Sequence, residues 1–391
     1  MKHYSSFSTF ILTTLLLSCN GGVNKDQTTQ ITKDDVIDLE GSFYDNFLKS
    51  WDYIPLEDDN LDGILGSSYK ILYDDGLFFI DSKDIKDQTI KVFDSTGHYL
   101  YNIGRMGRAR NEYLGIDEWT IDPYRNEVIL VNRIGYYASA TIKRYDYQGN
   151  YIGQTETPEL TDQYHIGQVI KCMSDGSILV ENNIGFTPVY EYFYILPDGT
   201  FSTPMEPNTN HINLDEEGIR MLKRDISLAG DWGGLRIREA FHNIQSDTNL
   251  VMPKLGSQIY SLYGDGYKCI ANLSCLPKIP DSKKKNPTYE SFRDKDDLSS
   301  ISEFKDYLYL WYNGDTEYVL EKATNKMYRM KHDRSLFKLP DSGYPTINGN
   351  DLIFLAYTYG SSDLNYAPDV MDFYRKVKDH ENPVIVIAHF R

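Results

Sequence analysis

The amino-acid sequence predicts an all-β chain folded as a six-bladed β-propeller whose N- and C-terminal strands close the ring. Three observations carry that expectation. Short apolar or alternating runs bounded by Asp, Asn and Gly recur from Trp51 to the C-terminus, whereas sustained helical periodicity is scarce. A strand–turn–strand unit repeats with its turn at Gly97, Gly149, Gly199, Gly266 and Asn325, at spacings of 52, 50, 67 and 59 residues and a mean of 57. The stretch from Trp51 to Arg391 is 341 residues long, and six units of 57 need 342. That period is too long for a solenoid coil and suits a four-stranded propeller blade with long loops.

In chain order, residues 1–18 read as a signal segment. Lys2 precedes an apolar stretch from Phe7 to Leu17, which is too short to span a bilayer, and Leu16-Leu17-Ser18-Cys19 follows. A Leu three positions and a Ser one position before Cys resembles the bacterial lipoprotein signal, which makes Cys19 the lipidated residue. Residues 19–35, polar and unpatterned, are expected to be a flexible tether, and residues 36–391 the propeller domain. The Ser-Cys junction followed by Asn20, Gly21 and Gly22 resembles lipoproteins of Bacteroidetes. The acidic run that surface-exported members carry after the Cys is absent, so an outer-membrane location is expected with the periplasmic and cell-surface faces both open.

Within the domain, four turn-centred hairpins stand out: TIKVFDSTGHYLYNIG (Thr89 to Gly104), TIKRYDYQGNYIGQ (Thr141 to Gln154), YFYILPDGTFSTPM (Tyr192 to Met205) and IYSLYGDGYKCIANL (Ile259 to Leu273). YVLEKATNKMYRM (Tyr318 to Met330) is a degenerate fifth. Each is expected to supply strands three and four of a blade, with strands one and two just upstream, as in YKILYDDGLFFID, EWTIDPYRNEVILVN and IGQVIKCMSDGSILVE. The sixth blade takes DLIFLAYTY and PVIVIAHF and is completed by an N-terminal strand around Tyr53 to Leu56, because closure removes unpaired strand edges. Helical interruptions are predicted over Leu214 to Asp225 and Asp369 to His380, and an exposed basic loop over Asp281 to Asp297.

Composition narrows the function. The chain has 391 residues, 41% of them hydrophobic, enough for a sizeable core, and a formal net charge of −17, which repels polyanions and excludes nucleic acid as a partner. Cys172, Cys269 and Cys275 are an odd set for an oxidising compartment; Cys269 and Cys275 are the only plausible pair, and buried free thiols are the simpler reading. The chain has no CxxC, HExxH, GxSxG or Gly-rich phosphate loop, and its eight His are scattered, so no catalytic residue is named.

The run IGRMGRARNEY (Ile103 to Tyr113) after VFDSTGHYLYN resembles the six-bladed β-propeller lipoproteins of Bacteroides and relatives, many of them domains of unknown function. Gly104, Arg105, Gly107, Glu112 and Tyr113 agree with the family's loop, and Ala109, Arg110 and Asn111 depart from it. The resemblance extends through SQIYSLYGDG and ENPVIVIAHF. It implies the propeller fold over about the whole mature domain but carries no function across, since such propellers look like NHL-type binding scaffolds and most members have no assigned activity.

Candidate site residues follow from charge and shape. Arg105, Arg108 and Arg110 put three guanidinium groups in a strongly acidic chain and are expected to bind an anionic ligand, unless Arg105 and Glu112 tie the loop together with Tyr113 packed beneath. Asp58, Asn60 and Asp62 match the first half of a calcium loop, though the twelfth position is Tyr69 rather than Glu. The glycine cluster from Ala229 to Glu239 brings Trp232 and Arg236 forward as rim residues. The expected function is a lipid-anchored binding or interaction module for an envelope protein, peptide or glycan, without catalysis or a required cofactor. The alternative is a lyase or hydrolase of oligosaccharides with a metal or carboxylate site on the propeller axis.

Overall fold

A computed structural model describes residues 28–391 except 67–69, 84–87, 134, 136–137, 162–163, 183–190, 206–238, 242, 247–248, 253–256, 264–265, 277–297, 313–315, 332–344 and 357–381. Six small sheets are arranged in a ring. Blade one comprises Ile71–Asp74, Leu77–Lys83, Gln88–Asp94 and Tyr99–Ile103, and blade two Glu118–Asp122, Glu127–Arg133, Ala140–Asp146 and Tyr151–Glu156, each paired in chain order from the inner strand outward. Blade three has Ile166–Cys172, Ile178–Asn182 and Glu191–Ile195, with a fourth strand reduced to isolated bridges at Phe201 and Met205.

Period-two alternation explains why a ring forms. In blade one, Ile71, Phe78, Ile80 and Phe93 face blade six, whereas Leu72, Phe79, Val92 and Ile103 face blade two. Both faces of a middle strand are therefore apolar, and Gln88–Asp94 is buried at all five interior positions. The outermost strand of blade two, Tyr151–Glu156, alternates half-buried with exposed residues because only one side meets a neighbour. Six apolar clusters result, one between each pair of successive blades, and the last of them joins blade six to blade one. Burying a side chain such as Phe79, 0% exposed, contributes about 1.5–3 kcal/mol.

The other three blades borrow strands from the N-terminus. Blade four orders as Asn249–Val251, Gln258–Tyr263, Gly266–Leu273 and then Thr29–Ile31, the last running parallel to its neighbour. Blade five is Leu298–Glu303, Tyr307–Tyr312, Thr316–Glu321 and Lys326–Lys331, with Val36–Leu39 added in parallel outside. Blade six is Thr346–Asn348, Asp351–Ala356, Val384–Phe390 and Leu48–Pro55. The closing strand pairs antiparallel, with Tyr53 opposite Val386 and Asp52 opposite Ile387, so the expected closure is observed.

Two expectations change. Residues 29–35, assigned to the tether, instead form the outer strand of blade four and a short 3-10 turn, Lys33–Asp35, that leads onto blade five. The hairpin from Ile259 to Leu273 supplies strands two and three of its blade rather than three and four, because Thr29–Ile31 takes the outer position. Gly266 accordingly differs from its supposed equivalents. Gly97, Gly149 and Gly199 have φ near +90°, +81° and +89°, and an added Cβ there would lie 2.2, 2.7 and 2.6 Å from the carbonyl oxygens of Pro55, Asn102 and Glu156 on the outer strand of the preceding blade. Only glycine fits that repeated contact. The expected helices over Leu214 to Asp225 and Asp369 to His380, and the loop over Asp281 to Asp297, lie outside the described residues; among those, the α-helix is Phe43–Phe47.

The short helix locks the borrowed segment down. Ser42 caps it, and the buried Glu317 accepts the Phe43 amide at 2.7 Å. Phe43 stacks on Phe390 and Tyr309 at centroid distances of 4.5 and 4.6 Å. Cys172, Cys269 and Cys275 are free thiols, with Cys269 and Cys275 assigned to different inter-blade clusters.

Candidate functional site

A ring of blades offers two places where side chains far apart in sequence converge: the axis and the loops that join one blade to the next. Inner strands begin on the face carrying the blade-to-blade connections and end on the face carrying the tight turns between strands one and two.

On the turn face a segment of the chain is held against the inner strands of several blades. Glu239–Phe241 pairs in parallel with Ser300–Ser302 on the inner edge of blade five, and Asn243 bridges to Ile347 of blade six. Ile244, 3% exposed, joins the apolar cluster of blades one and two. The Gln245 amide donates to Asp74 Oδ1 of blade one at 3.0 Å, and Tyr147 donates to the other oxygen at 2.8 Å. Burial, the Asp74 hydrogen bond and the Asp74 charge together push the Tyr147 phenol far above its ordinary pKa. From blade three the fully buried Lys171 donates to the carbonyls of Asn243 and Ser246 at 3.2 and 2.6 Å. Residues 239–241 and 243–246 therefore reach five blades.

Toward the opposite mouth, Lys70 Nζ of blade one donates to the Trp119 carbonyl of blade two at 2.6 Å and to the Val169 carbonyl of blade three at 3.3 Å. Glu118 accepts the Val169 amide at 3.3 Å. These inner-edge groups bind main chain to main chain. On the turn side residues 243–246 thus reach across inner strands of several blades, and among the described residues no three His, Cys, Asp or Glu side chains gather to hold a metal.

The two remaining candidates turn out to occupy the same structural position in consecutive blades. The loop with Arg105, Arg108 and Arg110 leads into blade two, and the loop with Asp58, Asn60 and Asp62 leads into blade one. Under each lies a buried lysine of a Thr-Ile-Lys strand. Lys143 donates to the Arg110 carbonyl at 2.7 Å and sits 5.6 Å over Tyr151; Lys91 donates to the Asp62 carbonyl and sits 5.7 Å over Tyr99. Burial lowers the Lys143 pKa from its ordinary value, with Glu156 opposing the shift.

Arg105 pairs with Glu112, Nε to Oε1 at 2.7 Å, and the other carboxylate oxygen accepts the Ala109 amide at 2.8 Å. The Ala109 amide and then Arg105 hold the Glu112 carboxyl below its ordinary pKa. Met106 and Tyr113 form a bridge, and Tyr113, 1% exposed, donates to the Ile103 carbonyl at 3.1 Å. Arg105 is therefore a loop tie, while Arg108 and Arg110 are exposed on the same loop. In the first loop Asn60 caps the 3-10 turn Leu61–Gly63, accepting the Asp62 amide at 3.1 Å, and Lys91 takes the Asp62 carbonyl. A lysine ammonium on that carbonyl opposes a calcium ion beside it. Trp232, Arg236 and Cys19 lie outside the described residues.

Sequence reasoning missed Lys70, Lys171 and the axial segment. The signal available was an ionisable residue inside an apolar run, as Lys171 is in VIKCM; nothing local marks residues 239–246 as axial.

Residues 30–389 match the family profile of a domain of unknown function, DUF4934. The chain belongs to the DUF4934 family. Its strand ring resembles a Bacteroides fragilis protein assigned as exported, at 11% identity and a TM-score of 0.57, covering 91% of this chain and 99% of that one. At that identity the likeness establishes fold, and the fold is the propeller. Two looser likenesses have TM-scores of 0.37. PorZ of Porphyromonas gingivalis, a surface component of a type-IX secretion system, shares 9% identity over 78% of this DUF4934 chain and 32% of its own. BamB of Moraxella catarrhalis shares 12% over 78% and 74%. No curated protein matches.

Proposed function

We propose that this DUF4934 protein is a lipid-anchored propeller of the cell envelope that works as a binding or interaction module without chemistry of its own. The observation that carries the reading is the segment held across the inner strands on the turn side. Catalysis on a propeller needs groups from several blades to meet in accessible space, whereas here residues 243–246 cross the inner strands on the turn side and the Lys171 and Lys70 ammonium groups donate to backbone carbonyls. Export is supported by the Leu16 to Cys19 signal and by the exported Bacteroides fragilis neighbour of the same fold.

The recognition surface we assign is the connection face around the Arg105–Tyr113 loop, where the Glu112 tie pre-organises Arg108 and Arg110 toward an acidic group on an envelope protein, peptide or glycan. A screen of the purified protein against glycans, acidic peptides and divalent metals tests this. Saturable binding without turnover, weakened by Arg108→Ala with Arg110→Ala, is expected; turnover of an oligosaccharide abolished by chelation would overturn it. The protein used should begin well before Thr29, since that strand belongs to the ring. Cys19→Ser is expected to move the protein from the membrane to the soluble fraction, and retention on the membrane would overturn the anchor.

A further inference from the structure

We infer that the connection face of blades one and two is a self-complementary surface on which a second copy of this chain docks, the acidic loop of each copy lying on the basic loop of the other about a two-fold axis. The inference rests on the recognition surface assigned above and names its partner. Its basis is a contrast between two loops that hold the same place in neighbouring blades. The loop over Asp58 to Gly63 carries exposed carboxylates at Asp59 and Asp62, and the loop over Arg105 to Tyr113 carries exposed guanidinium groups at Arg108 and Arg110. Among the described residues, none of these four side chains enters an ion pair. The two most exposed large apolar side chains of the described residues sit on the same two loops: Leu61, 88% exposed, beside Asp62, and Leu114, 58% exposed, just after Tyr113. Each loop is fixed from beneath, so docking has little to order: Lys143 donates to the Arg110 carbonyl at 2.7 Å and Lys91 to the Asp62 carbonyl.

Equivalent placement sets the symmetry. Because lysines of matching strands hold them, the two loops stand alike on consecutive blades, one on either side of the boundary between blades one and two. A two-fold axis along that boundary, in the plane of the face, turns the acidic loop of one copy onto the basic loop of the other, and does so twice. Each leucine is then covered at a contact rimmed by opposite charges. An acidic peptide or glycan would satisfy Arg108 and Arg110 but leave Leu61 in water beside Asp59 and Asp62. A second copy covers both loops. The net charge of −17 repels two copies at long range. That field is screened over about 8 Å at physiological ionic strength, whereas the paired loops meet within that distance.

Sedimentation velocity of the mature chain carrying Cys19→Ser, which keeps every described residue, tests this at about 100 µM protein and physiological salt. A dimer is expected. Arg108→Glu with Arg110→Glu makes both loops acidic, and Asp59→Lys with Asp62→Lys makes both basic. Each double variant alone should sediment as a monomer, its self-association weakened about tenfold or more, with an unchanged melting temperature. Mixed one to one, the two variants should form a heterodimer, since every acidic loop then meets a basic one. A monomeric wild type, a dimer that survives both reversals, or folded variants that fail to pair with each other would overturn the inference. If the wild type stays monomeric yet binds an acidic peptide or glycan, and Arg108→Ala with Arg110→Ala weakens that binding, the second copy falls and the recognition surface stands. A monomer that binds none of these would overturn both.

Discussion

Blades one to three and blades four to six are built from the same sheet by different routes. In blades one and two every strand follows its spatial neighbour in the chain, and the turn glycine of each new blade rests on the outer strand of the one before. Blades four to six take outer strands from residues 29–55, through contacts such as Phe43 to Glu317 that span 274 positions. The difference teaches that one half of the ring is held by local hairpins and the other by a strap. Loss of the strap should therefore unravel the second half first, and through the shared blade six–blade one cluster destabilise the whole.

The largest expected effect comes from removing the residues before Leu56. It deletes three outer strands and the Phe43 stack, and a fall in melting temperature of ~10 °C or more, or failure to fold, is expected. A truncated chain melting like the intact one would put the two halves on an equal footing. Phe43→Ala should cost about 3–5 kcal/mol in urea unfolding, with faster amide exchange concentrated in blades five and six. Exchange that rises equally in blades one to three would mean that the strap does not act locally.

Gly97→Ala probes the seam where the halves meet, because its Cβ would lie 2.2 Å from the Pro55 carbonyl of the closing strand. A loss of about 2–3 kcal/mol is expected, against about 1 kcal/mol for Gly349→Ala, where the φ of +61° is strained but no atom lies within 4 Å. Equal losses would show that the Pro55 contact contributes nothing.

The smallest effect is a pH dependence at the same seam. His389 lies between Asp351 on the neighbouring strand, Nδ1 to Oδ1 at 2.8 Å, and Asp52 on the closing strand, Nε2 to Oδ2 at 3.1 Å. A neutral imidazole has one N–H and satisfies one carboxylate, while the protonated ring satisfies both. Partial burial opposes the charge, but Asp351 and then Asp52 outweigh it and raise the His389 pKa above its ordinary value of 6.5. The folded state thus binds this proton more tightly than the unfolded chain, so the stabilisation is full below about pH 6.5 and is lost as pH rises through the raised value. Urea midpoints of the wild type should exceed those of His389→Gln at pH 6 by more than at pH 9; a pH-independent gap would contradict the pairing.

The legible parts of the fold are the local ones. Hairpins such as Thr89 to Gly104 announce themselves through alternation and an Asp-x-x-Gly turn, in which Asp94 accepts the Thr96 and His98 amides at 2.8 and 3.1 Å. The closing strand around Tyr53 was legible because a ring needs one. Thr29–Ile31 and Val36–Leu39 were not: they are only three and four residues long, and parallel pairing with residues more than 200 positions away leaves no local trace. At the candidate sites, the Arg105–Glu112 tie was readable as an alternative, since opposite charges bracket a loop. The repeated Thr-Ile-Lys at 89–91 and 141–143 was also readable and shows why both loops are fixed from beneath. The axial segment was hidden, because Asn243 to Ser246 acquire their meaning only from four blades at once.

Amide hydrogen exchange across the closing seam tests the ring most directly. The amides of Leu48–Ile54 that donate to Val384–Phe390 should exchange as slowly as those of Val384–Phe390, both through global unfolding, because the pairing protects them. Fast exchange at those paired amides beside slow exchange in Val384–Phe390 would mean that the ring is closed by something other than its own N-terminal strand.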